Sequence, residues 1–233
     1  MRVAIISDIH GNLEALEKAF EIIERENIDN LVCLGDLVGY GANPNECIDY
    51  VDRRTKKVLL GNHDQAAIDL RQAEFFNAYA RRAAHWTHDI LTPEHREYLQ
   101  SLPYTLTDTG LTFVHSSPLE PKEWHYIFSN QEASRNFDHF KTPVCFVGHS
   151  HVPGVYCEDL KTKEIRKGLR FIINIGSIGQ PRDGDWRLSF GIFDIESWSY
   201  ENVRSEYDVE SAANKILRAG LPRFLAERLF GGV

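Results

Sequence analysis

No stretch of this 233-residue chain approaches the roughly 18 consecutive apolar residues that a membrane-spanning helix needs. No strand- or helix-sized segment is of low complexity, and no internal repeat is visible. Cysteine is scarce: Cys33, Cys47, Cys145 and Cys157 form no C-x-x-C pair, so a thiolate zinc site is disfavoured. Cys33 and Cys145 sit inside apolar runs and read as small core residues of a reducing compartment. Basic charge is also short, with a formal net charge of −8, which argues against a surface that clamps long nucleic acid. The first strand-like run begins at Val3, which leaves no room for a secretory leader ahead of it, and the expected location is cytoplasmic. The composition is that of a globular enzyme, and one domain spanning 1–233 is expected.

Strand and helix signals alternate over the first 65 residues. Val3 to Ile6, Leu31 to Leu34 and Val58 to Leu60 read as strands, and the stripe Leu13, Leu16, Ala19, Phe20 and Ile23 reads as a helix. Asn43-Pro44 opens a second helix, with proline suited to the first turn. Residues 65–101 read as an inserted helical hairpin, with a further short helix after Thr92-Pro93. From Thr105 onward strands dominate, interrupted by a helix near Asn130 to Phe140, and the last 25 residues return to helix. The terminal stripe Leu221, Phe224, Leu225 and Leu229 reads as core or a contact between copies. The β-α-β-α-β start implies α/β architecture with a partly parallel sheet.

Five short apolar runs each end in residues that bind divalent cations. They lead to Asp8-Ile9-His10, Gly35-Asp36, Gly61-Asn62-His63-Asp64, His115 and Gly148-His149-Ser150-His151. Ligands of α/β folds gather beyond the carboxyl ends of strands. The pairs Asp8/His10 and His149/His151 are two apart, so extended backbone would point both members the same way. Glycines before Asp36, Asn62 and His149 allow sharp turns and close approach. Carboxylates, an amide oxygen and imidazoles form a mixed oxygen and nitrogen set, which suits transition metals better than Ca²⁺ or Mg²⁺. Each block alone is weak; the set is specific.

As a set, these blocks resemble the calcineurin-like metallophosphoesterase superfamily, within it the small bacterial and archaeal phosphodiesterases, over residues 8–151. The resemblance implies a four-layer α-β-β-α sandwich of two mixed β-sheets flanked by helices. It implies hydrolysis of phosphate esters of small nucleotide-like or phosphorylated substrates, by a hydroxide bridging two divalent transition-metal ions. Manganese is the first choice, with iron, zinc, nickel or cobalt as alternatives. Carried over block by block, Asp8, His10, His151 and Asp36 would hold one ion. Asp36, Asn62, His115 and His149 would hold the other, with Asp36 bridging. His63 would handle the proton near the leaving group, or orient another ligand. Gly39 stands where the protein phosphatases of that superfamily carry the Asp that orients this histidine, and the following Arg is absent, which leaves His63 without an identified partner.

Substrate contacts are expected from Asn12, Arg182 and Trp124. The 176–185 segment offers its amides and Arg182 to phosphate, or is an ordinary turn. Trp124, His125 and Tyr126 stack on a base or aryl group, or pack locally. No membrane partner is expected, and a homo-oligomer is possible in principle. A dinucleoside polyphosphate hydrolase is the nearest alternative. A protein-binding scaffold is the other, although scaffold members usually lose a ligand or the G-N-H histidine and this chain retains all of them.

Overall fold

The computed structural model of the protein describes residues 1–162 and 164–233. One sheet has the order β2-β1-β8-β9, from β1 (Arg2–Ile6), β2 (Asn30–Cys33), β8 (Leu188–Asp194) and β9 (Ser199–Ser205). The other has the order β3-β4-β5-β7-β6, from β3 (Thr105–Asp108), β4 (Leu111–Val114), β5 (Val144–Val147), β6 (Gly154–Cys157) and β7 (Phe171–Asn174). Both are mixed: β1 runs parallel to β2 but antiparallel to β8, and β5 runs parallel to β4 and β7.

The period-two alternation of strand side chains sorts the cores. Val3, Ile5, Val32 and Leu34 meet Phe113, Phe146, Phe171 and Phe193 between the two sheets. Ala4, Ile6, Phe190 and Ile192 turn the other way, onto a layer of helices. That layer holds α1 (Leu13–Ile23), α2 (Pro44–Asp52), α8 (Val209–Arg218) and α9 (Arg223–Gly231). The far face of the second sheet carries Cys145, Val147 and Ile172, covered by Ala133 of α7 (Asn130–Ser134) and by Phe137 and Phe140. The result is the expected four-layer sandwich. All four cysteines are free and buried.

Local chemistry sets the boundaries. The Asn12 side chain accepts from the Ala15 amide at 3.1 Å and caps α1. Pro44 stands in the first turn of α2. Thr92 caps α6 (Pro93–Ser101), accepting from His95 N at 3.2 Å.

Three boundaries differ from the sequence expectation. The third strand shrinks to one parallel bridge between Cys33 and Val58. Leu59 N still bonds Cys33 O at 2.9 Å, but Leu60 N turns to Pro103 O and the chain leaves the sheet. The helical insertion starts at 62, not 65, because Asn62 and His63 open α3 (Asn62–Ile68); α4 (Leu70–Ala73), α5 (Ala78–Ile90) and α6 complete it. The helix expected over 130–140 splits into α7 and a 3₁₀ turn at Phe137–His139. In the terminal stripe Leu221, Leu225 and Leu229 are core, while Phe224 is exposed and stacks on Tyr79. Among the described residues, no helix is long and apolar enough to cross a membrane.

Phe146 lies fully buried between the sheets, with ring centroids of Phe113 and Phe193 at 5.7 and 5.6 Å. Phe146→Ala is expected to cost about 3–5 kcal/mol in urea denaturation. Phe75, 87% exposed, serves as the control, and Phe75→Ala is expected to cost less than about 0.5 kcal/mol.

Candidate metal centre

The carboxyl ends of β1, β2, β4 and β5 converge where the two sheets meet, and each delivers part of the cluster. Asp8 and His10 follow β1, Asp36 follows β2, His115 follows β4, and His149 and His151 follow β5; Asn62 and His63 enter from the first turn of α3. The paired residues are not extended. Asp8, His10, Asp36, His149 and His151 all have positive φ, between 51° and 65°. Alternation along a strand therefore does not explain why the pairs share a side; each pair has left-handed backbone at both of its members. Such backbone is costly for residues with a side chain and persists only where neighbours hold it.

Here they do. Asp8 N bonds Gly35 O at 3.0 Å, His10 N bonds Asp36 O at 2.9 Å, and Gly148 N bonds His115 O at 2.8 Å. Gly35, with φ +106°, presses against the Gly61 amide. A methyl group at Gly61 would overlap the Asp36 carboxylate, and one at Gly148 would overlap that of Asp8. Gly61 and Gly148 are space requirements of the carboxylates, and Gly35 one of the 59–61 backbone.

Two groups of donors result, each within 4.8 Å internally: Asp8, His10, Asp36 and His151, and Asp36, His115 and His149. Asp36 belongs to both. Asn62 joins the second, its Oδ1 3.3 Å from His115 Nε2. Each carboxylate is half engaged. Asp8 Oδ2 accepts from His149 N at 3.0 Å and Asp36 Oδ1 from His63 N at 2.8 Å. Asp8 Oδ1 and Asp36 Oδ2 are buried with no hydrogen-bond partner.

The imidazoles are held from behind. His10 Nδ1 faces Val38 O at 3.0 Å, His115 Nδ1 faces Leu34 O at 3.1 Å, and His151 Nδ1 faces Gln180 O at 2.6 Å. His149 uses Nε2 on Trp124 O at 2.9 Å. A carbonyl only accepts, so these nitrogens carry a proton and the opposite nitrogens face inward, with free lone pairs on any ring that carries no second proton. His10 Nε2 and His151 Nε2 then confront each other at 3.0 Å. Two facing lone pairs beside two unpartnered carboxylate oxygens fit cations, and the donor types fit a divalent transition metal.

The electrostatics agree. Burial alone would raise Asp8 and Asp36, yet the imidazoles around them, His151 for Asp8 and His115 for Asp36, hold both below the usual carboxylate range. Burial lowers His10 and His151 and takes His149 to about 3. His115 is the exception: burial pushes it down, but Asp36 more than offsets this and raises it to about 9. Its Nε2 lies 3.4 Å from Asp36 Oδ2 without forming a well-aligned hydrogen bond, and a cation bound there would displace the extra proton.

His63 is buried, with Tyr40 and Phe76 rings at 4.4 and 4.5 Å and His10 at 5.0 Å. Its Nδ1 has no partner. A Cβ on Gly39 would lie 2.7 Å from that nitrogen, so the position lacking the orienting Asp is indeed beside His63. Burial lowers His63 to about 4, with Arg182 adding to the effect and Asp36 opposing it.

Of the expected substrate contacts, Asn12 is spent inside the protein: besides capping α1, it donates to Gly179 O at 2.9 Å and contacts the Tyr207 hydroxyl at 3.2 Å. Trp124 edges onto His115 at 5.8 Å between ring centroids. His125 is exposed and pairs with Glu120, whereas Tyr126 stacks on His149 at 4.1 Å. The amides of 178–180 do not face the site. Ile178 N and Gly179 N bond Ser7 O and Asp8 O, and Gln180 N bonds Ser177 Oγ, so this segment braces the Asp8 turn. Only the Arg182 side chain remains, donating to the Tyr40 hydroxyl at 3.3 Å.

Sequence reasoning gave no role to Asp64, Tyr40, Phe76 or Arg228. Asp64 accepts from Asp36 N, Val38 N and Gly61 N at 2.8, 3.1 and 3.0 Å, tying two of the motifs together. Its place in the G-N-H-D block was the available signal. Nothing in the sequence marked the other three.

Comparisons with known proteins show the family. The calcineurin-like phosphoesterase superfamily domain matches residues 1–198. An uncharacterised protein of Methanocaldococcus jannaschii is 38% identical, covering 99% of this chain and 98% of its own. The crystal structure of a metallophosphoesterase from Sphaerobacter thermophilus shares 40% identity over the full length of both chains, with a TM-score of 0.88. A hypothetical protein from Pyrococcus horikoshii shares the fold at 22% identity, covering 100% of this chain and 98% of its own with a TM-score of 0.85. The chain belongs to the calcineurin-like phosphoesterase superfamily, and its class is that of a metallophosphoesterase, a hydrolytic enzyme.

Asp64 provides a test of the scaffold. Asp64→Ala strands three buried amides, and a loss of about 3–5 kcal/mol is expected in chemical denaturation, at about 1–3 kcal/mol per unsatisfied group with some relaxation. Asp64→Asn, which keeps an acceptor oxygen, is expected to lose clearly less.

Proposed function

We propose that the chain hydrolyses phosphate esters of small phosphorylated or nucleotide-like molecules at a dinuclear metal centre. The observation that carries this is the position of Asp36 Oδ2, unpartnered, 3.6 Å from His10 Nε2 and 3.4 Å from His115 Nε2, between the two donor groups. Asp8, His10, His151 and Asp36 would hold one ion, and Asp36, Asn62, His115 and His149 the other. When bound, such a pair polarises phosphoryl oxygens and lowers the pKa of water. The mixed donors suit manganese first, with iron, zinc, nickel or cobalt as alternatives.

The remaining residues act on the substrate. His63 is neutral in the free protein, so its ring donates one hydrogen bond; an arriving phosphate anion raises its proton affinity, which suits it to steady and then protonate the leaving oxygen. Burial against Tyr40 and Phe76 fixes the ring in place without an acidic partner. Arg182 brings a guanidinium to the His151 side. On the opposite side a cleft of about 540 Å³ is lined by Phe75, Phe76, Trp124 and Tyr126 beside Asn62 and His149. Its aromatic walls support a nucleoside or aryl group on the ester. The same cleft keeps dinucleoside polyphosphate hydrolysis as the second reading. A scaffold without metal gives no use to the two stranded carboxylate oxygens.

The test is turnover of bis-p-nitrophenyl phosphate by metal-loaded protein. Asp36→Asn is expected to lower kcat/KM by more than the roughly 10–100-fold typical of residues that only orient a ligand. His63→Gln is expected to lower kcat by about 10²–10⁴-fold with little change in KM. Full activity in Asp36→Asn would contradict the proposal.

A further inference from the structure

Both acidic residues of the 182–187 segment are matched to an arginine other than Arg182. Asp183 pairs with Arg204 and Asp185 with Arg187. Arg182 itself bonds only neutral groups, the Gln180 side chain at 2.8 Å and the Tyr40 hydroxyl at 3.3 Å. A second arginine comes to the same place from the other end of the chain. The left-handed Gly232 that ends α9 packs on Asp185, and Gly184 N bonds Gly232 O at 2.9 Å. This pins the last turn of α9 so that Arg228 lies over Tyr40. The Arg182 and Arg228 guanidiniums stand 5.6 and 5.9 Å from the Tyr40 ring centroid. Arg228 donates through Nε to a carboxylate oxygen of the last residue, Val233, and rests on Phe224, and neither arginine pairs with an Asp or Glu among the described residues.

Two half-buried guanidiniums lie on one tyrosine ring with only the Val233 carboxylate beside them, which leaves one positive charge in excess. Burial and the charge of Arg182 together lower Arg228 to about 10. In a chain of net charge −8, keeping two nearby acids occupied elsewhere and two cations together makes a standing site for an anion. Tyr40 is the wall between this pair and the donor cluster: its ring lies 4.8 Å from His10 and 4.4 Å from His63. The anion received here is therefore one ring-width from the place where the reacting phosphate would sit.

Resting on the phosphoesterase reading, we propose that Arg182 and Arg228, across Tyr40, bind a second phosphate group of the substrate. The preferred substrate is then a small molecule with two phosphates, one at the Asp8–Asp36 cluster and one at the arginine pair. Planar guanidiniums favour phosphate over a carboxylate of lower charge.

The experiment measures calorimetric affinity of Mn²⁺-loaded protein for adenosine 5′-monophosphate and adenosine 3′,5′-bisphosphate. The bisphosphate is expected to bind about tenfold tighter or more, as charge-assisted hydrogen bonds to one added phosphate would give. Arg228→Gln and Arg182→Gln are expected to bring the ratio to within about threefold of unity, whereas Arg228→Lys, which keeps the charge, retains part of it. Equal affinities in the native chain, or an undiminished ratio in both Gln variants, would overturn the proposal. So would monophosphate affinity rising equally on addition of inorganic phosphate, which would mark a separate effector anion. The tenfold ratio without hydrolysis of any ester would refute the catalytic reading and leave this site standing.

Discussion

Two carboxylates lie buried at the meeting point of the sheets, each with one oxygen tied to a main-chain amide and the other left without a hydrogen bond. An isolated ionised group in such surroundings costs several kcal/mol after relaxation. Protonating Asp8 and Asp36 would relieve that cost, but the surrounding rings hold both carboxyls ionised. The imidazoles, in turn, are fixed by carbonyls behind them and offer lone pairs inward. Shared cations resolve both conflicts together, which is why the rest of the site is best understood as machinery for keeping these groups in place.

That machinery is built in layers. Left-handed turns at five donor positions aim the side chains, and the strain they carry is borne by hydrogen bonds between the turns themselves. Asp64 fastens the Asp36 turn to the start of α3. The 176–180 segment, reached from β7, fastens the Asp8 turn through Ile178 and Gly179. Behind both lie strands, buried toward the site, whose alternating side chains join the inter-sheet core to the helical layer. The cluster is thus as rigid as the sandwich, and the variable parts, the aromatic cleft and the arginine pair, sit at its two sides.

Much of this was legible in the sequence because the donors lie in short blocks attached to apolar runs. Strand ends at Ile6, Cys33, Val114 and Val147 were readable from β-branched and apolar composition, and Asp8, Asp36, His115 and His149 follow within a few residues. What the sequence hid was conformation. The left-handed φ of Asp8 and His149 has no signature when the residue is not glycine, so extended geometry was the natural expectation. The single bridge at Val58 was hidden too, because Val-Leu-Leu has the same apolar composition whether it pairs for one residue or four. The engagement of Asn12 and of the 178–180 amides was hidden as well, because spare hydrogen-bonding capacity depends on tertiary partners, here Gly179 O, Tyr207 and the end of β1. Arg228, nearly two hundred residues from Tyr40, was beyond any local pattern.

The central claim concerns cations, and metal content tests it most directly. The purified chain, saturated with Mn²⁺ and freed of excess ion, should retain two ions per molecule by elemental analysis, with anomalous scattering peaks on either side of Asp36. No retained metal, or a single ion that leaves Asp36 Oδ2 uncoordinated, would contradict it.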